Sequence, residues 1–544
     1  MKAQLAAFAG LFLSGAGIVP ILPVVLAQGP AVSNQTPAGT MSSKAMLDEQ
    51  SSYNLSVTSQ LVLLDVAVRD QRGQSIRHLT QNDFTVFQDG APQPIVAFEA
   101  VDTTDPAQAT PPIHSTEELE KIAQRSPVTI LVLDELTTKF EDEYFARYSL
   151  KKYLGEQGDT LSDPTLLLAR SYNRTTVLHD YTTSKREILD ALERHLAGND
   201  WRAKDPSQAD TLLGAALASL VEVAKATEGH AGHKNVVWIG RGFPGTQWSN
   251  LTPDHAEAVK TAIVSCSNLL RDARITLYSL DPSGISVALE STADSNGVLA
   301  TTDPFGGQID FDKIAESTGG LAIHGRNDVD HMIEQAVEGG KAFYTLAYRP
   351  PTSSEDDPKK FHQIRVVMKN PQLIASSREG FYAESAESAE ESAATGDLSH
   401  ARSLDLAGAI NGLMVFTGIP LEVDRKNHTN QYEVTFPAAS VDLKETDGRL
   451  IGDTDLIVVS FDRKGKRLSS SGKVISLHLP PLPPDKIEDR KVTVTAAIED
   501  VGSPARIRFV VRSHSSGRIG AENYFIADRN SRRDPSTGLK AARP

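Results

Sequence analysis

The stretch Pro127-Val-Thr-Ile-Leu-Val-Leu-Asp134 limits the fold of this chain more than any other. A strand with one wet face alternates polar and apolar residues, whereas the six positions from Val128 to Leu133 are all apolar or β-branched. An unbroken run of this kind fits a strand buried on both faces, as in a parallel sheet covered by helices. The run ends in Asp134-Glu-Leu-Thr-Thr138, a carboxylate followed by two hydroxyls. That is the carboxyl end of the strand, where open α/β sheets hold their ligands.

The residues that follow support such a sheet. Helical periodicity is read over residues 141–154, 184–196, 209–227, 253–271, 310–318 and 329–338. Between these lie strand patterns at 165–171, 175–181, 235–239, 275–280 and 343–348. Alternation on this scale predicts a doubly wound, mostly parallel sheet with helices on both faces, over residues 125–348. The text on either side reads as strands and turns. Residues 61–69 alternate as Val62, Leu64, Val66 and Val68 against Leu63, Asp65, Ala67 and Arg69, and the turns Asp70-Gln-Arg-Gly73 and Asp89-Gly90 follow. Neither 55–101 nor 349–383 holds enough strands to bury two sheet faces, so the two are expected to pair, with the α/β domain inserted in their β-sandwich. Residues 402–530 carry the pattern of a second, C-terminal β-sandwich. The expected fold class is therefore α/β plus all-β. Residues 384–401 read as a Ser/Ala/Glu linker, and 28–54 and 531–544 as a disordered spacer and tail.

Charge and cysteine content narrow the function. A formal net charge of -15 argues against nucleic acid or an anionic membrane surface as partner. Lys2, an apolar core and the end Val25-Leu26-Ala27 predict a secretory signal over residues 1–27, with cleavage after Ala27; an uncleaved anchor is the alternative. The single cysteine, Cys266, forms no intrachain disulfide and sits in a helical pattern as a buried apolar residue. The expectation is a bacterial protein, secreted, periplasmic or held in the cell envelope, and not membrane-spanning after cleavage.

Asp134-Glu-Leu-Thr-Thr138 resembles the first metal loop of a von Willebrand factor A (VWFA) domain, whose pattern is Asp-x-Ser-x-Ser; Leu136 replaces the first serine and Thr138 stands for the second. Longer segments resemble the VWFA-related domain family described in Acidobacteria. Leu63-Leu-Asp-Val-Ala-Val-Arg-Asp-Gln-Arg-Gly73 and Phe87-Gln-Asp-Gly-Ala-Pro-Gln93 are similar to its opening, Lys234-Asn-Val-Val-Trp-Ile-Gly-Arg-Gly-Phe-Pro244 to its middle, and Tyr344-Thr-Leu-Ala-Tyr348 to its close. The resemblance covers about residues 60–383 and implies a von Willebrand factor A-like sheet in an exported protein. It assigns no activity.

It also implies where a metal would sit. A Mg²⁺ site needs oxygen ligands from three loops. Asp134 and Thr138, with Thr137 beside them, supply the first loop, and Thr211 in Asp210-Thr-Leu-Leu-Gly-Ala the second. The third loop has Thr-Asp-Gly in A domains and Gly240-Arg241-Gly242 here. An arginine in place of a carboxylate makes the metal-dependent adhesion site (MIDAS) degenerate. Two readings follow: Asp134 pairs with Arg241 or caps local backbone and no cofactor is bound, or Asp134, Thr138 and Thr211 hold Mg²⁺ weakly. His230 and His233 read as a solvated loop, and Asp281-Pro-Ser-Gly284 as a turn at the same edge.

No phosphate loop, nucleophile elbow or H-E-x-x-H motif is present. The expected function is a non-enzymatic interaction module, of adhesion or scaffold type. It would bind a protein partner through loops 134–140, 205–211, 240–248 and 281–286, with Phe243 and Trp248 as exposed anchors. The alternatives are a purely structural envelope protein, or a metal-dependent hydrolase built on Asp134 or Asp281.

Overall fold

The structure, a computed structural model, describes residues 61–102, 111–171, 175–196, 209–243, 245–284, 303–305, 308–340, 342–351, 360–383, 406, 408–426, 430–446, 449–480, 487, 490–498 and 504–526. The expected signal, spacer, linker and tail lie outside the described residues.

The chain opens with strands β1 (Val62–Arg69), β2 (Phe84–Gln88), β3 (Ala91–Gln93) and β4 (Ile95–Asp102). Helix α1 (Thr116–Ile122) leads to β5 (Val128–Asp134), α2 (Phe140–Glu156), β6 (Thr160–Arg170), β7 (Thr175–Ser184), α3 (Lys185–Arg194) and α4 (Ala209–Thr227). Then come β8 (Lys234–Ile239), β9 (Thr246–Gln247), α5 (Pro253–Asp272), β10 (Ile275–Leu280), β11 (Gln308–Ile309), α6 (Phe311–Ser317), β12 (Ala322–Ile323) and α7 (Val329–Gly339). Strands β13 (Ala342–Tyr348), β14 (Phe361–Met368), β15 (Ile374–Ser376) and β16 (Gly380–Tyr382) complete this part.

A mixed six-stranded sheet runs in the order β12-β10-β8-β5-β6-β7, parallel except for β7, which is antiparallel to β6. Strand order reverses between β5 and β8, and such a switch point opens a crevice at the carboxyl ends. β5 is buried at all seven positions. Its Ile130 and Val132 join a core with Leu212, Leu220, Ile263 and Ile314 from α4, α5 and α6. Leu131 and Leu133 face the other way, into a core with Leu150, Ile188 and Met332 from α2, α3 and α7.

Two antiparallel sheets, β15-β1-β13-β4 and β16-β14-β2-β3, share a third core made by Leu64, Val66, Phe84, Val86, Tyr344, Leu346 and Ile364. Each sheet mixes strands from before and after the α/β part, with Leu64 opposite Leu346 and Phe84 opposite Met368. One boundary needs correction: residues 343–348, read as the last strand of the α/β domain, form β13 between β1 and β4. Their apolar run resembles that of a parallel strand because both faces of β13 are covered, for different reasons. Tyr344, Leu346 and Tyr348 fill the sandwich core, while the Phe343 ring packs tilted against His233 and the Thr345 hydroxyl meets Asp65 at 2.8 Å. Asp65 also accepts from Arg274 at 2.5 and 3.1 Å and faces His233 Nδ1 at 3.0 Å. This network ties the sandwich to the amino end of the α/β sheet. Burial raises the Asp65 carboxyl, but His233 and Arg274 outweigh it and hold the group well below the usual carboxylate range.

The remaining strands are β17 (Phe416–Thr417), β18 (Glu422–Arg425), β19 (Gln431–Pro437), β20 (Lys444–Thr446), β21 (Arg449–Phe461), β22 (Arg467–Leu479), β23 (Lys491–Ala497), β24 (Arg506–Ser513) and β25 (Ile519–Phe525). They form a sheet β17-β25-β24-β21-β20, with β22 added on β21, facing a sheet β18-β19-β23 across a core of Tyr432, Val434, Leu456, Phe509 and Val511. This part packs directly on α4. Phe416, Val510 and Ile519 extend the α4 core, and the Thr417 hydroxyl donates to the Ala226 carbonyl at 3.1 Å. Among the described residues no helix is long and apolar enough to cross a membrane.

Candidate functional site

The switch point places Asp134 at the end of β5 with its side chain on the α4 and α5 face. Residues in register on neighbouring parallel strands point the same way, and Asp134 is in register with Arg170, the last residue of β6. Trp238 of β8, in register with Val132, shares that face. Arg170 Nη1 lies 3.0 Å from both Asp134 oxygens, and both side chains are fully buried. The Trp238 indole N–H donates to Oδ2 at 3.1 Å, and the Arg170 guanidinium sits 5.3 Å from the Trp238 ring centre. Within the loop, Leu136 N and Thr137 N donate to Oδ1 at 3.2 and 3.3 Å, and the Thr137 hydroxyl to Oδ2 at 2.5 Å. Gly242 N completes the set at 3.1 Å from Oδ2. A carboxylate offers about four lone-pair positions, so this one is fully engaged from within. Burial pulls the Arg170 guanidinium below its ordinary value, and the charge and hydrogen bonds of Asp134 oppose that. Its Nη1 also meets the Gly242 carbonyl at 3.3 Å and its Nη2 the Leu212 carbonyl at 3.5 Å.

The loop after β8 closes over this pair because of two glycines. Gly240 has φ 150° and Gly242 φ 64°. A Cβ on Gly240 would collide with Asp134 and Thr138, and one on Gly242 with the Phe311 ring. The pair of turns brings the Gly242 N–H inward and sends the Arg241 side chain out. The expected Arg241–Asp134 pair is therefore corrected: Arg241 is half exposed, and its Nε meets Asp281 at 3.1 Å. Asp281 also accepts from Ser283 N at 2.9 Å, within a turn.

Of the other expected site residues, Thr137 caps Asp134 as described, whereas Thr138 is buried with its hydroxyl unpaired among the described residues. Thr211 makes no hydrogen bond to Asp134; α4 reaches the cluster through the Leu212 carbonyl instead. Phe243, expected as an exposed anchor, is 4% exposed and packs edge-on to Phe311, 5.7 Å away. It points inward because it follows the Gly242 turn. Trp248 is half-buried, its indole N–H donating to the Phe305 carbonyl at 2.5 Å. His230 and His233 are buried, not solvated. His230 bridges Glu120 at 2.9 Å and the Ser126 carbonyl at 2.8 Å, while His233 faces Asp65. The two residues that decide the site, Arg170 and Trp238, are not among those the loop pattern points to. Arg170 had left a signal: a cation closing the apolar run Leu166-Leu-Leu-Ala-Arg170 has to find an anion inside.

A second polar cluster lies on the opposite face, where α2 and α3 meet. Glu135 is bonded to His195 Nε2, and Arg147 Nη2 donates to the carbonyls of Leu192 and His195 at 2.7 and 2.5 Å. Glu143 beside them is 5% exposed, with Arg147 Nη1 at 3.9 Å. Burial, reinforced by the charge of Glu135, pushes its carboxyl up to about 7.

No family model and no curated protein matches the sequence. A crystal structure of the SpRpn10 VWA domain is 15% identical over 29% of this chain and 89% of its own, with a TM-score of 0.16. One of the pilus adhesin SpaC from Lactobacillus rhamnosus GG is 8% identical over 72% of this chain, with a TM-score of 0.24. The chain spans 54% of that adhesin.

Proposed function

We propose that this chain is a non-enzymatic, exported interaction module, a von Willebrand factor A-like sheet inserted in a β-sandwich. It would meet a protein partner through the carboxyl edge of that sheet, without a metal. The observation that carries the reading is the Asp134–Arg170 pair. The switch point of an open α/β sheet is its natural crevice, and here a guanidinium and five other donors fill it. Asp134, Thr138 and Thr211 do not fit Mg²⁺, which demands near-octahedral oxygen, because Arg170, Trp238 and loop donors already occupy the Asp134 oxygens and Thr211 makes no hydrogen bond to them. What remains open to a partner is the rim: the Arg241–Asp281 pair, Lys139, Phe140 and the exposed residues around Trp248. The N-terminal sequence supports export to the periplasm, envelope or medium.

The test is capture of partners from envelope extract on the immobilised full chain, with Mg²⁺ or with chelator, beside an Arg241→Glu variant. The same specific band is expected with and without chelator, reduced at least fivefold by Arg241→Glu. A band lost on chelation, or one indifferent to Arg241→Glu, would refute the reading.

A further inference from the structure

Helix α5 meets β16 and residues 303–305 along one stripe. Ala256, Lys260, Ile263, Ser267 and Arg271 follow at spacings of four, three, four and four, which lines them up over about 22 Å of the helix. Two adjoining cavities open along this stripe. One of about 280 Å³ is lined by Trp248, Ala256, Ile263, Asp303, Phe305 and Tyr382, and one of about 20 Å³ by Ser267, Arg271, Phe305, Arg378 and Tyr382. Phe305 and Tyr382 border both, so the two make one cleft with a wide and a narrow end. Its walls hold themselves in place. The Tyr382 hydroxyl and Phe305 N donate to Asp303 at 3.0 and 2.9 Å, and the Trp248 indole fixes the Phe305 carbonyl.

The narrow end holds a cation without an acid. Arg378 is half-buried, and its one hydrogen bond among the described residues runs from Nη2 to the Arg271 carbonyl at 3.3 Å. Arg271 beside it carries the same charge and already meets Asp272 at 2.8 Å. Burial, then that like charge, pulls the Arg378 guanidinium down to about 10, against the attraction of Asp65 and Asp272. The backbone fixes where this side chain starts. Glu379 N donates to the Ser317 carbonyl at 3.1 Å, and Gly319, at φ 90°, lets residues 377 and 378 pass where a Cβ would strike them. Ser267 lines the same end, and its hydroxyl makes no hydrogen bond among the described residues.

A guanidinium short of acceptors takes an anion, and its flat fork matches a carboxylate. The room available selects the head. One water needs about 10–15 Å³ of such space, so the narrow end admits a flat carboxylate reaching in from the wide end and excludes a tetrahedral phosphate. The wide end steers the same way. Asp303 and Glu257 outnumber Lys260 there and repel an anionic head, while the faces of Trp248, Ile263, Phe305 and Tyr382 cover an apolar body. We propose that the α5–β16 cleft binds a small organic acid, with its carboxylate on Arg378 and Ser267 and an apolar body of ring size between Trp248 and Tyr382. The proposal goes beyond the carboxyl-edge reading and does not depend on it.

Isothermal titration calorimetry of the full chain with 3-phenylpropionate tests this, beside its uncharged amide and inorganic phosphate. A ligand of this size should bind with a dissociation constant on the order of 1 mM. The amide has the same shape without the charge and should bind at least tenfold more weakly. Phosphate should not displace the acid. Arg378→Met should bring the acid down to the level of the amide, and Ala256→Trp, which fills the wide end, should weaken it at least tenfold. Both variants should keep the circular dichroism spectrum of the parent. If Arg378→Met does not fold, the comparison of acid with amide on the parent still decides. No binding of the acid at about 10 mM would overturn the proposal. So would an amide that binds as tightly as the acid, phosphate that displaces it at equal concentration, or an acid indifferent to either variant.

Discussion

Arg170→Met removes the charge at the switch point while keeping most of the side-chain length. It strands the Asp134 carboxylate, which is 1% exposed, with five remaining donors: two loop amides, the Thr137 hydroxyl, the Trp238 indole and Gly242 N. Breaking a buried pair costs about 3–5 kcal/mol, and those donors should keep this variant near the lower bound. Asp134→Asn makes the opposite cut. It leaves a guanidinium that never deprotonates facing only an amide and the carbonyls of Gly242 and Leu212 at 3.3 and 3.5 Å, so about 5 kcal/mol is expected. The double variant strands no charge, and its cost should fall short of the sum of the singles by at least about 2 kcal/mol. A chain of several packed parts does not unfold as one two-state unit. The assay is therefore amide exchange of β5, β6 and β8 together with urea unfolding. Trp238 fluorescence is a local probe, because that ring lies 5.3 Å from the Arg170 guanidinium. Additive single costs, or Arg170→Met within about 1 kcal/mol of the parent, would refute the claim that this pair holds the crevice shut.

Arg241→Ala should cost under about 1 kcal/mol, because its partner Asp281 lies at a half-exposed rim; a loss above about 3 in urea unfolding would place the guanidinium inside. Glu143 has its folded carboxyl raised from 4.5 to about 7, so the folded state holds its proton longer than the unfolded chain. Stability should therefore rise as pH falls from about 7 to 4.5, and Glu143→Gln should stabilise at pH 8 by at most about 3 kcal/mol and not at pH 4.5. Thermal melts at the two pH values decide this. Asp65 is the reverse case: its folded carboxyl is held below the ordinary 3.8, so its contribution is complete above that value and is lost as pH falls below it. Asp65→Asn should lower stability at pH 7 and flatten the acid unfolding curve below pH 4, as followed by circular dichroism.

The α/β part was legible because its buried strands and amphipathic helices repeat at their own periods. Strand 275–280 and helix 209–227 match the structure residue for residue. What the sequence concealed depends on neighbours distant along the chain. Arg170 comes beside Asp134 only once β6 is in register with β5, and β13 reads as a doubly buried parallel strand until His233 and Arg274 are known to cover its second face. The small-residue run Ser469-Ser-Ser-Gly472, which has no strand pattern of its own, lies within β22 opposite residues 457–460 of β21. That strand is largely solvent-facing, so serines cost little there and no apolar alternation betrays it. Phe243 and Arg241 were placed on the wrong sides because glycine φ values, not residue types, decide which of them turns inward.

The proposed metal-free reading rests on the same geometry. A carboxylate at the end of a doubly buried strand must be neutralised, and any cation brought from a neighbouring strand does that permanently. Arg170 supplies the charge in place, so on the proposed reading the loops after β5 and β8 are expected to stay closed whatever the cation concentration. A Mg²⁺ ion at 100 times its dissociation constant would add roughly 2.7 kcal/mol of stability. Full-length protein should show no such rise in melting temperature with millimolar Mg²⁺. If it does, either an oxygen set other than Asp134 binds the ion, or the ion displaces Arg170 from a carboxylate whose seven contacts all come from the chain itself. Repeating the melt with Asp134→Asn separates the two sources: a shift that survives the substitution lies elsewhere, and one that vanishes would mean that Arg170 yields its place to the metal.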